Sequence, residues 1–113
     1  MPIDKKLLSG NTSMLLLQLL AEKDMYGYEM IETLKQRSNF LFELKAGTLY
    51  PLLHTLESQH LLVSYEKDVQ GKVRKYYQIT KEGLKSLEKK KTEWTEYTKA
   101  VSQVIGGAIY AEG

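Results

Sequence analysis

GKVRKYYQIT, residues 71–80, places three cations within four residues and follows them with two tyrosines and, after Gln78, an isoleucine and a threonine. A run rich in β-branched and aromatic residues reads as a strand, and LLVSYEK (61–67) upstream reads the same way. Between them DVQG (68–71) predicts the turn of a β-hairpin, with Gly71 supplying the permissive backbone. The hairpin is therefore basic at its tip and aromatic toward its base, where YYQI is expected to anchor it to a core.

Working outward from the hairpin, three helices are expected before it and one after. Residues 12–22 carry Met14, Leu15, Leu16, Leu17, Leu19 and Leu20 around more than one face, so this helix needs burial on two sides. Past a turn at EKDM, a helix from about Gly27 to Arg37 places Met30, Ile31 and Leu34 on one stripe, opposite Glu29, Glu32 and Lys35. SNFLFELKAG (38–47) is a connector with an apolar plug. A third helix, about 47–58, groups Leu49, Leu52, Leu53 and Leu56, with Pro51 expected in its first turn. Its other face then carries Gly47, Pro51, His54, Thr55 and Ser58. After the hairpin, Thr80 offers an N-cap and Glu82 an anion in the first turn of a helix running to about Ile105. Along it Leu84, Leu87, Lys91, Trp94, Thr98, Val101 and Ile105 follow steps of three and four, a heptad seam that predicts a partner helix, with the second apolar side of the first helix in a second copy as the expected match.

Composition narrows the function. The chain has 113 residues, enough for one domain with a modest core, and is 42% hydrophobic and 27% charged, ordinary globular values. The longest apolar run, MLLLQLLA (14–21), is too short to span a bilayer, and the start MPIDKKLLSGN does not read as a signal peptide. No cysteine is present, which removes disulfides, thiolate metal sites and cysteine nucleophiles and fits a reducing cytoplasm. His54 and His60 are outside any usual zinc spacing, and no nucleophile elbow, phosphate loop or paired-acid motif appears, so neither an enzyme nor a cofactor or metal is expected. The formal net charge is only +2, yet Lys67, Lys72, Arg74, Lys75, Lys81 and Lys85 outnumber Asp68 and Glu82 between residues 67 and 85. Position, not total charge, makes this region positive.

Three short helices followed by a two-stranded hairpin is the order of a winged helix-turn-helix, an α+β, mainly helical fold whose third helix enters the DNA major groove while the hairpin, or wing, lies along the backbone. YGYEMI (26–31), GTLYPLLHTLE (47–57) and GKVRKYYQITKEG (71–83) resemble, in order, the three signature blocks of the PadR family of bacterial transcriptional regulators. That resemblance covers nearly the whole chain. It implies a cytoplasmic, homodimeric, DNA-binding repressor, with residues 1–80 forming the winged helix-turn-helix and 81–113 the dimerisation helix and tail. The chain departs from the family pattern in having His60 where a glycine usually follows the third helix, and Lys72 in place of one of the wing's paired glycines.

On this reading Thr48, His54, Thr55 and Ser58 read bases of a double-stranded operator, Pro51 and Tyr50 give apolar contact to the groove, and Lys45, Lys72, Arg74 and Lys75 hold phosphates. With no Arg or Asn on the third-helix face, part of the specificity is expected from DNA shape. Trp94 stands eleven residues after Gly83, the spacing of multidrug-responsive members that this chain resembles, in which paired tryptophans sandwich planar aromatic compounds. The resemblance thus implies a ligand site of Trp94 with Met14 and Gly10 as the opposite wall, although Lys90 and Lys91 lie one turn earlier. A winged helix can also serve as a protein-protein adaptor or an RNA-binding module; an adaptor has no need for the wing cations beside a polar third-helix face.

Overall fold

Leucine spacing decides the core. The computed structural model describes residues 11–106, within which α1 (Thr12–Glu22), β1 (Met25–Tyr26), α2 (Gly27–Arg37), α3 (Ala46–Ser58), β2 (Leu62–Val69), β3 (Lys72–Ile79) and α4 (Lys81–Val104) follow one another. One cluster holds Leu16, Leu17, Leu19 and Leu20 of α1, Met30 and Leu34 of α2, Leu49, Leu53 and Leu56 of α3, and Leu62, Tyr77 and Leu87 from the wing and α4. Each buried leucine contributes about 1.5–3 kcal/mol relative to exposure, so the four of α1 supply a large share of the core, and α1 packs against α2, β3 and α4. This is the α+β, mainly helical winged helix-turn-helix expected, with a long helix at its C-terminal side.

Helix α1 finds its second burial within the same chain. Leu87 of α4 joins the leucine cluster, and Lys91 Nζ donates to Gln18 Oε1 at 3.4 Å. The first half of α4 thereby occupies ground that the heptad pattern assigned to another copy. Sequence periodicity states that a face is apolar, not which helix covers it.

The sheet differs from the expected hairpin in two ways. Met25, expected in the EKDM turn, and Tyr26 form a third strand: the order is β1-β3-β2, antiparallel throughout, with Met25 opposite Tyr77 and Tyr26 opposite Tyr76. Two residues are too few to carry any periodicity. The turn is also shorter than DVQG, because Val69 pairs with Lys72 and leaves only Gln70 and Gly71 outside the ladder. Both take positive φ (55° and 82°), the pairing that suits a tight hairpin, and Gly71 N donates to Asp68 Oδ1 at 2.9 Å. Asp68 therefore acts from within the strand, against its usual preference.

At the base of the wing, His60 takes the left-handed conformation (φ 63°) and Leu61 N donates to Leu56 O at 3.0 Å, closing α3 in the way a glycine would. Thr80 caps α4 as expected, its Oγ1 accepting from Gly83 N at 2.9 Å. Pro51 lies one turn deeper than expected, inside α3, since that helix starts at Ala46. It leaves the Gly47 carbonyl without its usual helical donor, on an exposed side where water can serve instead. Among the described residues no helix is long and apolar enough to cross a membrane.

Candidate nucleic-acid interface

Helix α3 is amphipathic by construction. Leu49, Leu53 and Leu56 are buried, Leu52 is half-buried, and Thr48, Pro51, His54, Thr55 and Ser58 all face solvent. The expected base-reading residues are thus together on one outward face. Two of them have already used their hydroxyl protons: Thr55 Oγ1 donates to Pro51 O at 3.1 Å and Ser58 Oγ to Thr55 O at 2.8 Å. Towards an external partner these hydroxyls are therefore acceptors. Lys45, the N-cap residue of α3, is exposed at the same end as Thr48.

Tyr50 is divided between two surroundings. Although 44% exposed, its ring rests on Gly27 at the start of α2, where a methyl group in place of the glycine hydrogen would stand 2.7 Å from the ring carbon that bears the hydroxyl. Tyr50 therefore packs between α3 and α2 as well as facing outward.

Alternation sorts the wing into two faces. Towards the core, Tyr77 is buried, with Lys75 Nζ 5.6 Å from its ring centre, and burial pushes the Tyr77 phenol pKa up in a neighbourhood shared with Lys75, Glu57 and Tyr50. Glu57 also accepts from Ser64 Oγ at 2.6 Å, tying α3 to β2. Lys75 thus stands beside the recognition-type helix, and Lys72 is exposed next to the turn.

On the outward face Tyr26, Tyr76 and Tyr65 lie in one cross-strand row. Tyr26 and Tyr76 meet edge to face at 5.5 Å, and Tyr65 stacks on Tyr76 at 5.8 Å. The Tyr65 hydroxyl donates to Asp24 Oδ2 at 2.7 Å, which raises its pKa, and Gln78 Nε2 donates to the same oxygen at 3.3 Å. The Arg74 guanidinium sits 4.3 Å from the Tyr26 ring centre and Lys67 Nζ 5.3 Å from that of Tyr76. Of the three expected wing cations, Lys72 and Lys75 are exposed and Arg74 is half-buried. Tyr26, Tyr65 and Asp24 escaped the sequence reading because strand order, not sequence proximity, brings them together. The available signal was the tyrosine content of both wing strands, Tyr65, Tyr76 and Tyr77.

The expected ligand residues are only partly placed. Trp94 is 41% exposed on α4, with Tyr97 at 6.2 Å between ring centres, while Met14 is half-buried against the core. Gly10 lies outside the described residues. Val101, Val104 and Ile105 continue an exposed apolar strip beyond Trp94.

The model of the transcriptional regulator PadR-like family matches residues 16–89. A protein of Lysinibacillus sphaericus is 34% identical over 102 residues, 89% of this chain and 94% of that protein. Among solved structures, a PadR family transcriptional regulator from Eggerthella lenta superposes with a TM-score of 0.79 at 36% identity, covering 89% of this chain and 87% of that one. A transcriptional regulator from Clostridium thermocellum gives 0.81 at 33% identity, over 87% and 96% of the two chains.

Proposed function

Because this chain belongs to the PadR-like family of transcriptional regulators, we propose that it works as a cytoplasmic homodimeric repressor of an operator, responsive to a planar aromatic effector or a stress. PadR-like regulators bind DNA and typically dimerise, and the chain is a regulator and not an enzyme. One observation carries the DNA assignment: α3 keeps Thr48, Pro51, His54, Thr55 and Ser58 on an outward face, in a chain whose wing exposes Lys72 and Lys75. Thr48 and His54 donate to or accept from base edges, Thr55 and Ser58 accept, and Pro51 and the exposed edge of Tyr50 meet thymine methyls or the groove wall. Lys45, Lys72 and Lys75 hold phosphates.

In this reading residues 1–80 are the DNA-binding unit and 81–113 serve dimerisation. The exposed strip of Trp94, Val101 and Ile105 then meets its symmetry mate, and Trp94 with Tyr97 supplies the aromatic surface on which an effector stacks, against Met14 and Gly10.

The test is the salt dependence of duplex binding. Lys72→Ala with Lys75→Ala should weaken binding to every duplex sequence and lower the slope of log affinity against log salt by about two units, roughly one per phosphate contact. Wild-type affinity and slope in that variant would remove the wing from the interface. Absence of salt-dependent duplex binding in the wild type would favour a protein-protein adaptor, and preference for RNA duplexes or single strands an RNA-binding module.

A further inference from the structure

The wing is a lever. β3 pairs with β1 only at Tyr76 and Tyr77, so the four pairs from Glu66 with Lys75 to Val69 with Lys72 project beyond the third strand. At roughly 3.3 Å per residue that overhang is about 13 Å long, and a small rotation at its base moves the tip by ångströms. A two-residue strand pairing offers few backbone hydrogen bonds to resist such a rotation.

What stiffens the base is the outward tyrosine face. Tyr26 is both a β1 residue and the N-cap of α2, so any group fastened to it is fastened to the helix-turn-helix itself. Two straps run from the wing, one to Tyr26 and one to Asp24 just before it. Arg74, on the overhanging part of β3, lays its guanidinium on the Tyr26 ring at 4.3 Å. Tyr65, on β2, crosses the Tyr76 ring and donates its hydroxyl to Asp24, immediately before β1. Lys67, the cross-strand partner of Arg74, lies over the Tyr76 ring.

We propose that Arg74 and Tyr65 are positioning residues that set the angle of the wing against the helix-turn-helix by bracketing it to Tyr26 and Asp24, and that Arg74 acts in DNA binding through this bracket and not as a phosphate ligand. The proposal rests on the DNA-binding reading above and deepens it. A guanidinium seated on an aromatic face is held by the ring's quadrupole and by exclusion of water from one side, and reaching a backbone phosphate would give up both. Lys72, exposed next to the turn on a long flexible stem, suits a phosphate better, and Lys75, although its ammonium lies 5.6 Å from the Tyr77 ring centre, is exposed where Arg74 is half-buried. Without the bracket, the wing must be ordered at the moment of binding, which weakens affinity while the number of phosphate contacts stays the same.

The experiment compares Tyr26→Leu, Arg74→Met, the double variant, Tyr26→Phe and Tyr65→Phe. Each is titrated with one mixed-sequence linear duplex over a range of salt, and amide hydrogen exchange of residues 66–75 is followed in the free protein. Tyr26→Leu changes no charge, yet should lower duplex affinity about five- to tenfold, with an unchanged salt slope and faster exchange in the wing. Arg74→Met should match it, the double variant should be no worse than either, and Tyr26→Phe, which keeps the ring, should behave as wild type. Tyr65→Phe removes only a hydroxyl and should quicken wing exchange in a normally folded protein, so the outcome does not depend on Tyr26→Leu being stable. The proposal is overturned if Arg74→Met lowers the slope by about one unit while Tyr26→Leu and Tyr65→Phe leave affinity and exchange unchanged. Should the wild type bind no duplex, the DNA-binding reading fails, and the exchange rates of the free protein decide the bracket on their own.

Discussion

Two glycines in this chain mark close approaches with different consequences. A side chain at Gly83 would run into the Leu61 carbonyl, a backbone atom that already accepts from Thr80 N at 3.0 Å and from Thr80 Oγ1 at 3.1 Å. Moving it disturbs the cap of α4 and the end of the wing together. At Gly27 the obstacle is the far end of the Tyr50 ring, which can swing outward. Gly83→Ala should therefore cost about 2–3 kcal/mol and Gly27→Ala less than about 1 kcal/mol, by urea denaturation with unchanged m-values. Equal losses at the two sites would mean that Tyr50 is as fixed as the Leu61 carbonyl. The family resemblance marked Gly83 as the glycine that opens the last helix, but nothing local to KEGLK discloses that Leu61, twenty-two positions earlier, lies against it.

Among elements, the joint between α1 and α2 depends on charge. Arg37 donates from both nitrogens of its fork to Glu22, one bond being 2.8 Å, and Gln18 Nε2 donates to Glu22 Oε2 at 2.9 Å. Chiefly through the Arg37 bonds, and then that of Gln18, the Glu22 carboxyl is held down at about 2 from an ordinary value of 4.5. A carboxyl with a depressed folded-state pKa stabilises the fold above its unfolded pKa, and this contribution disappears as pH falls through the folded value. The melting temperature should therefore decline between about pH 4.5 and pH 2 by more in the wild type than in Glu22→Gln, and less steeply at high salt because the pair is solvent-exposed. Parallel pH profiles for the two proteins would show that the pair adds nothing to stability. Gln18 also accepts from Lys91, so the same cluster links α4 to the helix-turn-helix.

Over the whole molecule, the principal extents are 54 × 32 × 22 Å, and a helix of 24 residues is about 36 Å long, so α4 is longer than either of the two shorter dimensions. Its first half is spent on α1, whereas its second half exposes Trp94, Tyr97, Val101, Val104 and Ile105. If this strip is a twofold interface, sedimentation should give a dimer at micromolar concentration, Val101→Glu should give a folded monomer, and the melting temperature of the wild type should rise with concentration. On the same samples a planar aromatic compound that stacks on Trp94 should quench its fluorescence in the dimer and not in the monomer, and should change duplex affinity in step. A wild type that remains monomeric, or quenching that leaves duplex affinity unmoved, would separate α4 from regulation.

Helix positions, the apolar stripe of α3 and the Thr80 cap were all determined by the sequence, because each depends on residues within one turn or one strand of each other. The outward grouping of Thr48, His54, Thr55 and Ser58 belongs with them, since helical periodicity alone assigns it. Only the tertiary structure decided that Met25 and Tyr26 are a strand, that α4 covers its own α1, and that Arg74 rests on Tyr26. Those features join residues tens of positions apart through strand order and helix packing, where the local pattern says that a side chain needs a neighbour and the fold alone selects which one.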